Sequence, residues 1–374
     1  MKRRLFQVIL VCVGMLFVSA EATAEQAEEA PFSVSAEGAI LIEVESGRVL
    51  YEKDAESEKR IASITKIMTA MIAVEQGNLD DVVTVSTNAE GTEGSSLYLR
   101  AGEKVTLRDL VYGLMLRSGN DSAVAIAEHI GGSVEGFVYL MNDQVRRLGL
   151  QHTTFANPHG LDDHEEHYSS AHDMAIIMQA AMQSDEFRDI SGTEVHRAPN
   201  ENESWDRVWK NKNRLLTERY EYSTGGKTGF TKRARRTLVS SAEKDGMELI
   251  AVTLNAPSDW DDHIRMFEYG FDTYQMKTLV KEGPISRQHQ LSDESMDYEV
   301  HDQIDFPLTD EEIPRVVPRI KPIDQTSEDP HAADIRFMLD GEVITQAPLF
   351  RPLAEEPAAS WWDRLKSRIQ QMLR

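Results

Sequence analysis

Ser63 and Lys66 stand three residues apart in the run Ser63-Ile64-Thr65-Lys66, where the sequence takes up a helical period. Residues at that spacing share a helix face. A serine hydroxyl is a weak nucleophile until a neighbouring base removes its proton, and an amine held near other cations can be that base. The start of a helix adds unpaired amides and a positive dipole end, both suited to a developing oxyanion. Alone, the pair would be a helix cap followed by a solvated lysine. Two further motifs follow it in order. Ser118-Gly119-Asn120 lies between two helical runs, where a hydroxyl and a carboxamide can relay a proton and hold a substrate amide. Lys227-Thr228-Gly229 follows Gly225-Gly226 and precedes strand-like sequence. A strand at a cleft edge can pair with an extended peptide, its lysine can meet a terminal carboxylate, and the glycines permit close backbone approach. Each motif is weak alone, a cap or a flexible turn. The ordered set predicts acyl transfer, with Ser63, Lys66, Ser118 and Asn120 catalytic and Lys227, Thr228 and Gly229 binding substrate.

The surrounding sequence predicts the elements that must hold these groups. Ala39 to Val44, the turn Glu45-Ser46-Gly47-Arg48 and Val49-Leu50-Tyr51 form a hairpin pattern. Ile64, Ile67, Met68, Met71 and Ile72 recur at helical spacing, and Gly77 can end that helix. Thr106 and Asp109 have the spacing of a capping box before the stripe Leu107, Leu110, Val111, Leu114 and Met115. An alanine-rich helix over 122–130 stops at Gly131-Gly132. Ser133 caps another, with Phe137, Leu140, Met141, Val145 and Leu148 on one face. Strands return at 237–242 and 247–254 around Asp245-Gly246, a strong hairpin turn, and 258–274 predicts a last helix. This order predicts an α/β fold: an antiparallel sheet, a helical subdomain inserted between its first hairpin and its late strands, and a cleft between the two.

The N-terminus carries Lys2, Arg3 and Arg4, the apolar run Leu5 to Val18 and the small residues Ala22-Thr23-Ala24, the pattern of an export signal cleaved after Ala24. The apolar run, about 14 residues, is short of the ~20 a membrane span needs. Cys12, the single cysteine, lies inside it, which excludes a catalytic thiol, a disulfide frame and a cysteine metal site from the rest. The 374 residues carry a net charge of −23, and loss of the signal's net +2 leaves about −25. That acidity excludes nucleic acid as a partner. We divide the chain into a signal over 1–24, a catalytic domain over 25–283, a small β-rich domain over 284–351, a linker over 352–359 and an amphipathic helix over 360–374. The β-rich stretch has its own hairpin turn at Asp340-Gly341. In the last segment Trp361, Trp362, Leu365, Ile369, Met372 and Leu373 recur at helical spacing beside Arg364, Lys366, Arg368 and Arg374. A helix of ~15 residues is too short to span a bilayer but suits the surface of an anionic one.

The three motifs are those of penicillin-binding proteins and serine β-lactamases. With Ile61-Ala62-Ser63-Ile64-Thr65-Lys66-Ile67-Met68-Thr69-Ala70, Leu116-Arg117-Ser118-Gly119-Asn120-Asp121, Asn157-Pro158-His159-Gly160-Leu161 and Tyr222-Ser223-Thr224-Gly225-Gly226-Lys227-Thr228-Gly229, the chain resembles the low-molecular-mass D-Ala-D-Ala carboxypeptidases. Within them it looks most like the sporulation member that edits spore-cortex peptidoglycan, and the likeness covers about residues 35 to 280. The resemblance implies a penicillin-binding, β-lactamase-like transpeptidase fold. It implies that Ser63 attacks the penultimate D-alanine of a peptidoglycan stem peptide, with the backbone amides of Ser63 and Phe230 as oxyanion hole. β-Lactams would acylate the same serine. No cofactor is implied. The site of action would be the outer face of the cytoplasmic membrane, and for the sporulation member the space between the forespore membranes. The sequence departs from many relatives in lacking an arginine after the late hairpin, where it reads Asn255-Ala256-Pro257-Ser258-Asp259. Carboxylate recognition is then left to Lys227 and Thr228, with Lys232, Arg233 or Arg235 as candidates.

Other readings are weighed against this one. A class A β-lactamase would carry a Glu-x-x-x-Asn element between the second and third motifs, and 159–174 has none. A non-enzymatic wall-binding protein would not need the intact motifs. Transpeptidase or endopeptidase activity on the same residues stays open. His152, His159, His164, His167 and His172 crowd together with Asp162, Asp163, Glu165 and Glu166, but no H-E-x-x-H pattern occurs and we assign no metal.

Overall fold

A computed structural model describes residues 32–200, 203–285, 298–323 and 331–352, and the fold is that of the unit Val34–Arg374. The predicted signal and the C-terminal helix lie outside the described residues. The first apolar run forms β1 (Gly38–Glu43), every residue of it buried, and returns as β2 (Val49–Lys53). Buried Glu43 holds the turn between them: its carboxylate accepts the amides of Glu45 and Ser46 at 3.0 and 2.8 Å and the Ser46 hydroxyl at 2.5 Å. A 3-10 turn over Ala62–Thr65 then leads into α1 (Lys66–Gln76), which Gly77 closes. Ser63 therefore sits in the 3-10 turn and not in the α-helix expected from that position.

The helical subdomain follows. Short β3 (Val82–Thr84) and β4 (Lys104–Thr106) pair across α2 (Thr87–Glu90). Then come α3 (Leu107–Arg117), α4 (Asn120–Gly131), α5 (Val134–Arg147), α6 (Ala171–Ala181) and α7 (Asp185–Gly192). The capping signals are used as expected. Thr106 accepts the Asp109 amide and Ser133 that of Gly136, each satisfying an orphan donor of its helix. Asp109 answers the Thr106 hydroxyl, not its amide, at 2.8 Å. Its other oxygen holds His196 in β5 (Val195–Ala198), which pairs with β6 (Arg207–Lys210).

The late strands are β7 (Ser223–Thr231), β8 (Arg235–Lys244) and β9 (Met247–Leu254). Asp245 and Gly246 both adopt positive φ, 53° and 80°, as a two-residue hairpin of this kind requires. The five strands form one antiparallel sheet in the order β2-β1-β9-β8-β7. Alternation sends Ile40, Ile42, Val239, Ile250 and Val252 into the core shared with α1, α3, α4 and α6. Leu41 and Leu249 face the other way, onto α8 (Asp259–Thr273), at Gly270. Burial of a large aliphatic side chain contributes roughly 1.5–3 kcal/mol. The positions of these helices are thus set by the core and not by helix propensity.

The β-rich region starts earlier than expected. β10 (Gln275–Val280) lies upstream of the boundary placed at residue 283, yet pairs with β13 (Ile304–Leu308), and Val280 packs with Ile335, Phe337 and Leu349. The sequence break at Glu282-Gly283-Pro284 marks a bend inside this region and not its start. β11 (Gly283–Pro284), β12 (Glu299–Val300), β14 (Val317–Pro322), β15 (His331–Leu339) and β16 (Glu342–Phe350) complete it in the order β11-β12-β16-β15-β14. Asp340 and Gly341 make the expected turn at φ 52° and 97°. Arg48, from the β1–β2 turn, reaches this region. It bonds Pro307 O and Glu312 (2.9 Å to Oε2) and lies over the rings of Tyr274 and Phe306.

Candidate active site

The turn that carries Ser63 is fixed from two sides. Ala62 takes φ +51°, an unfavourable value for a residue with a side chain. From the sheet, Thr237 of β8 donates its hydroxyl to Ile61 O at 2.9 Å. From the loop over 157–161, Gly160 (φ +88°) approaches so closely that a Cβ there would fall 1.9 Å from Ala62 O. That loop is held by Asn157 Oδ1, which accepts the amides of His159 and Gly160, and by Thr69, which donates to Pro158 O at 2.7 Å. Thr65 Oγ1 bonds Ala62 O and His167 Nε2, both at 2.8 Å.

Lys66 is fully buried. Its Nζ lies 3.2 Å from Ser63 Oγ, 2.7 Å from Asn120 Oδ1 and 2.6 Å from His159 O. Burial first, then the charges of Lys227 and Lys212, push its pKa well below the usual lysine range, with Asp121 acting the other way. A neutral amine has two N–H groups and one lone pair. In that form the two short contacts, to acceptors without a proton to give, would take both N–H groups and leave the lone pair for the Ser63 hydroxyl; in the charged form all three contacts are N–H donations. Asn120 is itself oriented: its amide donates to Ser95 O and its Nδ2 to Glu93 O, each at 2.7 Å. Ser118 caps α3 in the left-handed conformation, φ 64°, and lines the cleft. Asp121, the next acid along, accepts the amides of Leu97 and Leu99 and so shapes the facing loop.

On the other side β7 is the edge strand of the sheet. At Gly229 a Cβ would come 2.3 Å from Thr237 Oγ1 and 3.0 Å from the Ser63 amide nitrogen, so only glycine lets the strand lie against the turn. Gly225 and Gly226 admit the chain's own packing, against Ser191 and Val239 respectively. Lys227 is buried and donates to Thr228 O at 2.8 Å. Burial, with the Lys212 charge, lowers its pKa to about 7. It therefore lies behind the cleft wall. The cleft, about 300 Å³, is lined by Ser63, Ser118, Thr228, Gly229 and Phe230 of the predicted set.

The same cleft is lined by residues that the sequence did not single out, among them Lys212, Arg236 and Trp260. Arg236 lies opposite Phe230 in the β7–β8 ladder. Its Nε and Nη2 both donate to Asp259 Oδ1, at 3.0 and 2.7 Å, and its guanidinium lies over Trp260. Of the candidates for carboxylate recognition, Arg233 is paired with Glu165 at 2.7 and 2.8 Å, and Lys232, Arg233 and Arg235 are not among the cleft-lining residues. Arg236 is one of four basic residues in five, and only the strand register separates it from the others. Lys212, in the polar run Asn211-Lys212-Asn213, reaches Ser95 across the cleft at 3.4 Å. The crowded histidines divide. His159 and His167 are buried, with pKa values lowered to about 3 mainly by burial, and brace the Ser63 turn, while His152 and His172 turn toward Glu56.

A serine beside a buried lysine, under an edge strand, is the arrangement of a serine acyl-transferase of the penicillin-binding type. The family model for D-alanyl-D-alanine carboxypeptidase matches residues 23–258, and the chain belongs to that family. It is 36% identical over 290 residues to D-alanyl-D-alanine carboxypeptidase DacF of Bacillus subtilis, covering 75% of this chain and 74% of that protein. Among solved structures, penicillin binding protein 5 of Haemophilus influenzae matches with a TM-score of 0.73 and 29% identity over 86% of this chain and 97% of that one. A Streptomyces DD-transpeptidase variant matches at 0.61 and 32%, over 64% and 99%.

Proposed function

We propose that the chain hydrolyses the terminal D-alanine from peptidoglycan stem peptides through an acyl-enzyme on Ser63. The placement of Lys66 carries this reading: it is buried, its pKa is lowered by that burial, and its Nζ lies 3.2 Å from Ser63 Oγ. Lys66 Nζ takes the Ser63 proton as Oγ attacks the penultimate D-alanine carbonyl. The oxyanion meets the amides of Ser63 and Phe230, a reading supported by the packing of Gly229 on the Ser63 amide. Such donors are each worth about 10²–10³ in rate. As the C–N bond breaks, the proton returns from Lys66, by way of Ser118, to the departing D-alanine nitrogen, and water then releases the shortened peptide. Asn120 holds both Lys66 and the substrate amide.

Lys227, buried and with a pKa near neutrality, is a poor anchor for an anion, while Arg236 keeps its charge and is immobilised at the cleft. We assign the substrate carboxylate to Arg236 and Thr228, with Lys227 as an electrostatic neighbour of Lys66. Free D-alanine from a pentapeptide stem tests the reaction. D-alanine leaves in either case, so the acceptor decides: a shortened, hydrolysed peptide identifies the carboxypeptidase, and a product joined to an added amine would identify a transpeptidase, an activity named for one structural neighbour. Acylation by a labelled penicillin tests the nucleophile. The finer reading, a role in spore cortex, rests on family resemblance alone, and normal cortex cross-linking in a deletion strain would remove it. The basic, tryptophan-bearing tail supports action at a membrane surface. Deleting 358–374 should abolish sedimentation with anionic vesicles while soluble activity stays intact; vesicle binding by the truncated protein would remove the anchor.

A further inference from the structure

We propose that Glu56, His172 and Asp173 form a binding site for a divalent transition-metal ion of the zinc type, separate from the cleft at Ser63, with His152 at its edge. The three come from two segments, the loop between β2 and the Ser63 turn and the first turn of α6; His152 lies in the loop after α5. Asp173 is only 2% exposed. Its Oδ2 is occupied by the His152 amide at 2.8 Å and the Thr153 hydroxyl at 2.7 Å, and its Oδ1 lies 3.7 Å from His172 Nδ1. That nitrogen is 3.5 Å from Glu56 Oε1, and Glu56 Oε2 is 3.4 Å from His152 Nε2. The ligand atoms of Glu56, His172 and Asp173 all lie within 4.8 Å of one another.

These spacings decide the chemistry. The separations of 3.5 and 3.7 Å from His172 Nδ1 to Glu56 and Asp173 exceed the ~2.7–3.2 Å of N–H···O hydrogen bonds. They come close to the edge of a tetrahedron whose metal–ligand bonds are 2.0–2.1 Å, about 3.3–3.4 Å. An imidazole with two carboxylates, completed by water, suits zinc and its neighbours, whereas calcium and magnesium prefer oxygen alone. The frame is built without the ion. His172 N donates to Ala55 O at 3.0 Å, and Lys59 and Ser169 exchange both backbone bonds. The ion would fasten the segment over 54–60, which runs straight into Ser63, to the start of α6. Its effect is then on the rigidity of the Ser63 turn and not on the chemistry.

The test uses the full chain, freed of metal by chelation and titrated with zinc and cobalt(II) salts. The expected result is one ion per chain, with the visible absorption of tetrahedral cobalt and a melting temperature raised by roughly 4 °C at about 100-fold excess over Kd. Glu56→Gln and His172→Ala should each weaken binding at least about tenfold. Both should leave metal-free carboxypeptidase activity unchanged, since neither lines the cleft, and His164→Ala should leave binding unchanged. Exposed Glu56 makes its variant the safer test of folding. No stoichiometric binding, or binding undiminished by Glu56→Gln and His172→Ala, overturns the assignment.

Discussion

The site has two layers, and they hold their cations differently. Behind the cleft, Lys66, Asn120 and Lys227 are at most 2% exposed, and burial drives both amines toward neutrality. On the wall, the Phe230 side chain is largely exposed and the Arg236 guanidinium is partly so, paired with nearly buried Asp259. A lysine loses its proton under desolvation and a guanidinium does not. The inner layer is therefore suited to move a proton and the wall to keep a charge, and substitutions in the two should differ in kind as well as in size.

The largest effect is expected from Ser63→Ala: loss of about 10⁴-fold or more in kcat, with no covalent penicillin adduct. An adduct mapped to another residue by mass spectrometry would displace Ser63. Lys66→Arg keeps a charge but cannot accept a proton, and acylation should fall about 10²–10⁴-fold; stopped-flow acylation near the original rate would make Lys66 merely structural. On the wall, Arg236→Gln should raise KM about tenfold or more for substrates with a free carboxylate and leave kcat nearly unchanged, the size of one charge-assisted hydrogen bond. An analogue ending in a carboxamide should not notice the change. If it suffers equally, Arg236 holds the wall and not the substrate. The smallest effect is in pH dependence. Lys66 works deprotonated, so acylation should rise with pH through its lowered pKa and level off below the range of an ordinary lysine. Since the Lys227 charge helps to lower that pKa, Lys227→Met should move the rising limb to higher pH. An unmoved limb would uncouple the two amines.

What was legible in the sequence was local. The Asp245-Gly246 and Asp340-Gly341 turns and the caps at Thr106 and Ser133 depend on neighbours a few residues away, and the structure uses each as expected. The burial of Lys66 was not legible, because a lysine in a first turn is ordinarily solvated and only packing by α4 and the loop over 157–161 encloses it. Arg236 was hidden among similar residues, because which basic side chain meets the cleft depends on register with β7. The β-rich region was begun too late because β10 finds its partner across an interruption, and a change in composition does not reveal pairing.

An unpaired strand edge is also a template for aggregation, since any extended chain can add to it. β7 carries such an edge, and here it is sunk beside the Ser63 turn with Lys212 and Ser95 facing it. An edge so placed is open to a single extended peptide and shielded from the edge of another folded sheet. The depth that selects a stem peptide thus also works as a solubility device, and widening the cleft to broaden substrate range should bring self-association with it.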